Sequence, residues 1–216
     1  SLRVDIRAPE GEWAIAGDIL MAVSGSIASM LSAERTALNF LQRMCGIATL
    51  TASFVSAASG TSARITDTRK TLPGYRALDK YAVKIGGGYN HRFGLYDGVL
   101  IKSNHIDASG GVKQAVAAAK MRAHHLLKIE AEARTLEEAI AACNAGADFI
   151  LLDNMTPQQI VQAVEALKGR CKLEASGGVN IDNVAEYAAT GVDFISIGAI
   201  THSVKAVDLH MAIGKS

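Results

Sequence analysis

Apolar and polar residues alternate in blocks along most of this chain, and the blocks change period. Leu2-Val4-Ile6 alternates as a strand does, and Pro9-Glu10-Gly11 and Ala16-Gly17-Asp18 interrupt the pattern, so residues 2 to about 30 read as short strands and turns. A helical period then takes over: Leu38, Leu41, Cys45, Ala48, Ala52 and Val55 recur at spacings of three and four. Ser32 is the expected N-cap of that helix, Glu34 favours its first turn, and Gly60 is the expected stop. Beyond it, short apolar runs at 63–66, 98–101, 126–129, 148–152, 172–175 and 193–197 are separated mostly by helical segments. Thr135-Leu-Glu-Glu138 and Thr156-Pro-Gln-Gln159 read as capping boxes.

An internal echo supports a repeating unit. Gly146-Ala-Asp-Phe-Ile-Leu-Leu-Asp153 and Gly191-Val-Asp-Phe-Ile-Ser-Ile-Gly198 lie 45 residues apart, each a helix stop, a turn and a buried strand. Continuous apolar strands between helices predict a parallel sheet covered on both faces. Six strands are clear and a seventh is marginal, short of the eight of a closed barrel. The expected fold is α/β, an open α/β barrel, with a doubly wound open sheet as the alternative. The expected division is a remnant of an N-terminal β-containing domain over 1–33 and a connecting helix over 34–60. The barrel then covers 61–203 and a C-terminal helix 204–216.

Composition narrows the function more than the fold. The 216 residues are 49% hydrophobic and 20% charged, with net charge +1. That balance argues against nucleic acid or a membrane surface as partner, since both require an excess of Lys and Arg. No apolar run reaches membrane-spanning length, and no signal peptide opens the chain. Cys45, Cys143 and Cys171 show no paired spacing and fit a reduced, cytoplasmic protein. The start on Ser1, without Met, leads us to expect that an N-terminal segment precedes it.

The polar residues fall at the strand ends, which in a parallel barrel share the face that holds the active site. A basic half comprises Arg69, Lys70, Arg92 and Lys102, with His91 and His105. Arg suits planar carboxylates and phosphates, and Lys serves as a point charge. An acidic half comprises Glu130, Glu132 and Asp153, with Glu130 and Glu132 on one face of their strand. Such carboxylates either surround a cation, with Mg²⁺ favoured by oxygen ligands, or pair with the basic half. Ser176-Gly177-Gly178, ahead of a helix at Asn180, and Gly198-Ala199, ahead of one near Ser203, are candidate phosphate turns. Gly86-Gly87-Gly88 reads as a flexible bend ahead of His91.

An ordered set of motifs resembles the quinolinate phosphoribosyltransferase family. These are Glu34-Arg-Thr-Ala-Leu-Asn39, Asp67-Thr-Arg-Lys-Thr71, Gly86-Gly-Gly-Tyr-Asn-His-Arg92, Ile101-Lys-Ser-Asn-His105, Leu152-Asp-Asn154, Glu174-Ala-Ser-Gly-Gly178 and Gly198-Ala-Ile-Thr-His-Ser203. The resemblance implies an open seven-stranded α/β barrel with part of an N-terminal α+β sandwich domain. It also implies a homodimer or higher homo-oligomer with shared active sites. The implied reaction joins quinolinate to phosphoribosyl pyrophosphate with decarboxylation, giving nicotinate mononucleotide for NAD biosynthesis. By motif, Arg35 would reach a partner's quinolinate, while Arg69, His91, Arg92 and Lys102 surround its carboxylates and Lys70 lies near both substrates. Glu132 and Asp153 would serve Mg²⁺ and phosphoribosyl pyrophosphate, and Ser176, Gly177, Gly178, Gly198 and His202 its 5′-phosphate side. The implied catalytic set is Arg69, Lys70, Lys102, Glu132 and Asp153. Two positions depart from the family pattern: Ser103 stands where the family usually has Asp, and Arg134 where another acid often follows. The rival readings are a related type II phosphoribosyltransferase with another heterocyclic acceptor, a phosphate-binding aldolase with Lys70 or Lys102 as Schiff base, and a catalytically silent anion-binding or assembly module.

Overall fold

The structure, a computed structural model, describes residues 1–214. The strand alternation at the start of the chain produces β1 (Leu2–Ile6) and β2 (Met21–Gly25), paired antiparallel with Val4 opposite Val23. A long helix follows, α1 (Ile27–Ala57), capped by the Ser26 hydroxyl. It starts ahead of the expected Ser32, whose hydroxyl instead folds back onto the Ala28 carbonyl at 2.8 Å, a bond that leaves the helix intact. Leu38, Ile47, Thr51 and Phe54 are the buried line of α1, so the expected stripe is rotated, with Leu41, Cys45, Ala48, Ala52 and Val55 beside it.

Six parallel strands then alternate with helices. In chain order these are β3 (Arg64–Thr66), α2 (Arg76–Ile85), β4 (Val99–Ile101), α3 (Ser103–Ala108), α4 (Val112–Arg122) and β5 (Ile129–Ala133). There follow α5 (Leu136–Asn144), β6 (Phe149–Asp153), α6 (Pro157–Leu167), β7 (Lys172–Ser176), α7 (Val184–Ala189), β8 (Phe194–Ser196) and α8 (Ala199–His202). The sheet order is β3-β8-β7-β6-β5-β4. A doubly wound sheet reverses its order in the middle, whereas this order is cyclic, with the first barrel strand beside the last. The barrel is therefore open between β3 and β4. One parallel bridge, Thr66 to Tyr89, adds a rudimentary seventh strand outside β3.

The two faces of this sheet differ in kind. Ile65, Ile101, Ile129, Ala131, Ile150, Leu152, Leu173, Ala175 and Ile195 share one face and are at most 4% exposed beneath the helices. The register lines up Glu132, Leu151, Glu174 and Phe194 on the opposite face, and beyond them Asp153, Ser176, Ser196 and Thr66. Strand alternation thus sends an aliphatic row outward and gathers the acids and hydroxyls inward, beside Leu151 and Phe194. The expected strand at 126–129 is displaced: Leu126 is 76% exposed, and β5 begins at Ile129. Glu130 and Glu132 are consequently inside the strand rather than past its end.

The sequence echo has a structural counterpart. Asp148 accepts from Lys128 Nζ (2.6 Å) and the Ile129 N–H (2.9 Å); Asp193 accepts from Lys172 Nζ (2.5 Å) and the Leu173 N–H (3.0 Å). Each aspartate thus ties the start of one strand to the strand before it, and Phe149 meets Phe194 with ring centroids 5.9 Å apart. Residues 204–214 form no helix, which corrects the expectation for 204–216; residues 215–216 lie outside the described residues. The tail instead runs along α1, where Val207 N–H donates to the Gln42 carbonyl and Gln42 Nε2 to Leu209 O. A Cβ on Gly46 would overlap the Lys205 carbonyl, so the close approach depends on that glycine. Among the described residues no helix is long and apolar enough to cross a membrane.

Candidate active site

Below the end of β3 lies a buried ion pair that the sequence did not disclose. Asp67 is fully buried and Lys80 is 4% exposed. Asp67 Oδ1 accepts from Lys80 Nζ (2.5 Å) and from the His91 N–H (2.8 Å), and Oδ2 accepts from Asn90 Nδ2 (2.7 Å). Lys80 Nζ also donates to the His91 carbonyl at 2.9 Å. Burial is the largest influence on Asp67 and raises its pKa overall, against the opposing pull of Lys80, the His91 N–H and Asn90. The pair is hydrogen-bonded on both members and holds the turn that carries His91 and Arg92.

His91 points inward. Its Nδ1 accepts from the Arg92 N–H at 2.7 Å, which leaves the proton on Nε2, 2.9 Å from Glu130 Oε2 and 3.7 Å from Glu174 Oε1. Burial opposes protonation of His91, but the Glu130 hydrogen bond and the charges of Glu174 and Glu130 raise its pKa overall. Burial, and next the charge of Glu130, lift Glu174 to about 8, well above the ordinary carboxyl range. Among the described residues, buried Glu130 Oε1 and Glu174 Oε1 find no hydrogen-bond partner. The ligating atoms of this trio lie within 4.8 Å of one another. A metal at His91 would need the Nε2 lone pair, whereas the Arg92 N–H at Nδ1 keeps a proton on Nε2, where it faces Glu130. The sequence placed Glu130 with the acids but assigned Glu174 no role. The signal available was its even spacing with Ser176 on the inward face of β7.

Around this cluster stand the exposed cations. Arg92 Nη1 donates to the Gly98 carbonyl at 2.8 Å. Burial, followed by the charge of the Arg69 guanidinium, lowers its pKa. Arg69, Lys70 and Lys102 are exposed. His105, placed by its sequence position in the basic half, accepts the Lys102 N–H at Nδ1 (2.9 Å) and serves as a cap of α3.

Glu132 is 6% exposed and sits on the same sheet face as Asp153, one strand over. Arg134, one of the departures from the family pattern, brings Nη2 to 3.7 Å from Glu132 Oε1. Asp153 is half-buried and accepts from Asn154 Nδ2 at 2.9 Å. Ser176 is the last residue of β7, and Gly177 follows at φ +90°, where a Cβ would overlap Asn154 Oδ1. The helix expected at Asn180 begins at Val184, and the one expected near Ser203 is α8, which starts directly after Gly198. Lys70 Cδ and His202 Nε2 each lie 3.0 Å from the place a Gly198 Cβ would take, so the structure brings Lys70, Gly198 and His202 together. Arg35 is exposed on α1.

Comparison with known proteins bears on this geometry. Residues 47–212 match the family model described as quinolinate phosphoribosyl transferase, C-terminal domain, and residues 1–45 match that for the N-terminal domain. The nicotinate-nucleotide pyrophosphorylase [carboxylating] of Mycobacterium leprae is 46% identical over 210 residues, 96% of this chain and 74% of the relative. The probable enzyme of that name from Bacillus subtilis is 44% identical over 204 residues, 94% and 71% of the two chains. The crystal structure of NadC from Streptococcus pyogenes superposes with a TM-score of 0.92 at 40% identity, over 96% of this chain and 73% of that one.

Proposed function

The chain belongs to the quinolinate phosphoribosyltransferase family, and we propose that its strand-end face carries out that family's reaction. The pyridine nitrogen of quinolinate displaces pyrophosphate from C1′ of phosphoribosyl pyrophosphate, and the adduct loses CO2 to give nicotinate mononucleotide. One observation carries the site assignment: the exposed cations Arg69, Lys70 and Lys102, with half-buried Arg92, share the strand ends with the inward acids Glu132 and Asp153.

In this reading Arg69, Arg92 and Lys102 hold the dicarboxylate, two guanidiniums giving paired planar hydrogen bonds and the ammonium a point charge. His91 has both ring nitrogens engaged, so it acts by fixing the Arg92 backbone and Glu130. Lys70, Gly198 and His202, with the Ser176-Gly177-Gly178 turn, take the phosphoribosyl phosphates. The ring-bound cations must hold quinolinate without over-stabilising the carboxylate that departs, because only preferential transition-state binding speeds the step. The oxygen donors of Glu132 and Asp153 fit Mg²⁺, which when bound would neutralise charge on the diphosphate. The inward carboxylates also face the ribose, where positive charge develops.

A Schiff-base aldolase needs a desolvated lysine, and both Lys70 and Lys102 are exposed. A homodimer or higher oligomer is part of the proposal, with Arg35 serving a neighbour. Exposure of Val4, Ile6, Trp13, Ile15, Ile19 and Leu31 supports such an interface. The three unpaired cysteines support a cytoplasmic setting. The test is pyrophosphate release on titration with quinolinate and phosphoribosyl pyrophosphate. Arg69→Ala and Lys102→Ala should fold normally and lose about 10²-fold or more in turnover. Normal turnover in both would sink the site assignment, and release only with a different heterocycle would favour the related transferase.

A further inference from the structure

Arg69, Lys70, Thr71 and Leu72 form the exposed segment beyond β3, and each is tied down by a side chain from a helix. Arg69 O accepts from Arg76 Nη2 (3.3 Å), Lys70 O from Thr201 Oγ1 (2.8 Å), and Thr71 Oγ1 from Arg76 Nε (3.1 Å). The Leu72 N–H donates to buried Asp79 at 3.1 Å. Arg43 of α1 grips both Asp79 oxygens, at 2.9 and 2.8 Å, and reaches the Thr201 carbonyl at 3.0 Å.

Arg76 does one thing the others do not. Its Nη1 also donates to the carbonyl of Phe93, at 3.0 Å, and its guanidinium lies 6.0 Å from the Phe93 ring. Phe93 directly follows Arg92. A single planar group therefore joins the segment bearing Arg69 to the segment bearing Arg92. Three donors at fixed angles are what the guanidinium supplies; an ammonium on a shorter reach cannot hold all three acceptors in that fork.

We infer that Arg76 is a positioning residue that sets the separation of Arg69 and Arg92, and through it the recognition of a planar dicarboxylate. The inference rests on the reading of those two guanidiniums as the quinolinate grip. Arg76 lies behind the segment and acts through its backbone, so its loss should fall on one substrate. On the phosphate side, the carbonyls of Lys70 and Gly198 accept from Thr201 Oγ1, and His202 meets Ser203, so neither Lys70 nor His202 is bonded by Arg76 itself.

The experiment measures KM for quinolinate and for phosphoribosyl pyrophosphate in the wild type, Arg76→Ala and Arg76→Lys, with thermal unfolding alongside. Arg76→Ala should raise quinolinate KM about 10- to 100-fold, as expected for a shift of order 1 Å in a positioned group. KM for phosphoribosyl pyrophosphate should stay within about threefold, and millimolar guanidinium should restore part of the lost quinolinate affinity. Arg76→Lys, which keeps charge and most of the stem, should show the same selective defect and serves as the test if Arg76→Ala does not fold. Unchanged quinolinate KM in a folded variant, or an equal rise for both substrates, would overturn the inference while leaving the family reading intact. A wild type that releases no pyrophosphate from quinolinate would overturn both.

Discussion

Replacing Lys80 by Met removes one member of the buried ion pair beneath the site while keeping the length of the side chain. Asp67 is fully buried and would retain only the Asn90 amide and the His91 N–H. Breaking a buried pair from one side costs about 3–5 kcal/mol, because the remaining charge is left uncompensated. Against the ~5–15 kcal/mol available to a typical domain that is a large fraction, equal to a fall in Tm of roughly 6–20 °C for a chain of this size. Urea unfolding followed by far-ultraviolet circular dichroism measures it directly. Asp67→Leu should cost a similar amount, and the double variant much less than the two losses added together. The pH dependence has a definite sign. Losing Lys80 leaves burial as the dominant influence on Asp67 and lifts its pKa further; a carboxyl with a raised folded pKa loses stability as pH rises towards that value. The Lys80→Met deficit should therefore shrink at pH 5 relative to pH 8. A loss below about 1 kcal/mol, or additive single and double variants, would refute the assignment of the pair as the brace of the His91 turn.

Glu174 carries a second pH signature. The folded state keeps its proton up to about 8, against an ordinary value of 4.5, so wild-type stability should fall as pH rises across that interval, by on the order of 5 kcal/mol in all. Glu174→Gln should flatten the slope; an unchanged slope in the variant would contradict the protonated-acid reading. Gly177→Ala places a Cβ at φ +90° against Asn154, and should cost about 1–3 kcal/mol in unfolding measurements together with a loss of turnover. A stability within about 0.5 kcal/mol of wild type would show that the turn relaxes around the methyl group.

The fold was legible wherever local chemistry and global packing agree. The echoed Gly-x-Asp-Phe segments reported the strand starts because Asp148 and Asp193 do the same work in each. The cations and the acids Glu132 and Asp153 were legible because they sit at or near strand ends, and a parallel sheet gathers those ends on one face. The start of β5 was not, because Leu126 and Leu127 are apolar residues of a turn, and hydrophobicity alone does not separate them from a strand. Contacts that cross the fold were also hidden. Lys80 lies on a helix beside Asp79, and nothing local reveals that one pairs with Asp67 and the other with Arg43. His91 was readable as a site residue but not its direction, which is set by Glu130 from β5 and the Arg92 N–H.

In the proposed reaction the strand-end cations and inward acids join a pyridine dicarboxylate to a phosphoribosyl group and then release one carboxylate. Quinolinate labelled in the 2-carboxylate, incubated with the protein, Mg²⁺ and phosphoribosyl pyrophosphate, tests both halves at once. Equimolar labelled CO2, pyrophosphate and nicotinate mononucleotide, with no CO2 when phosphoribosyl pyrophosphate is left out, is the predicted result. Pyrophosphate release with the label retained on the ring, or no release from quinolinate at all, would contradict that reaction.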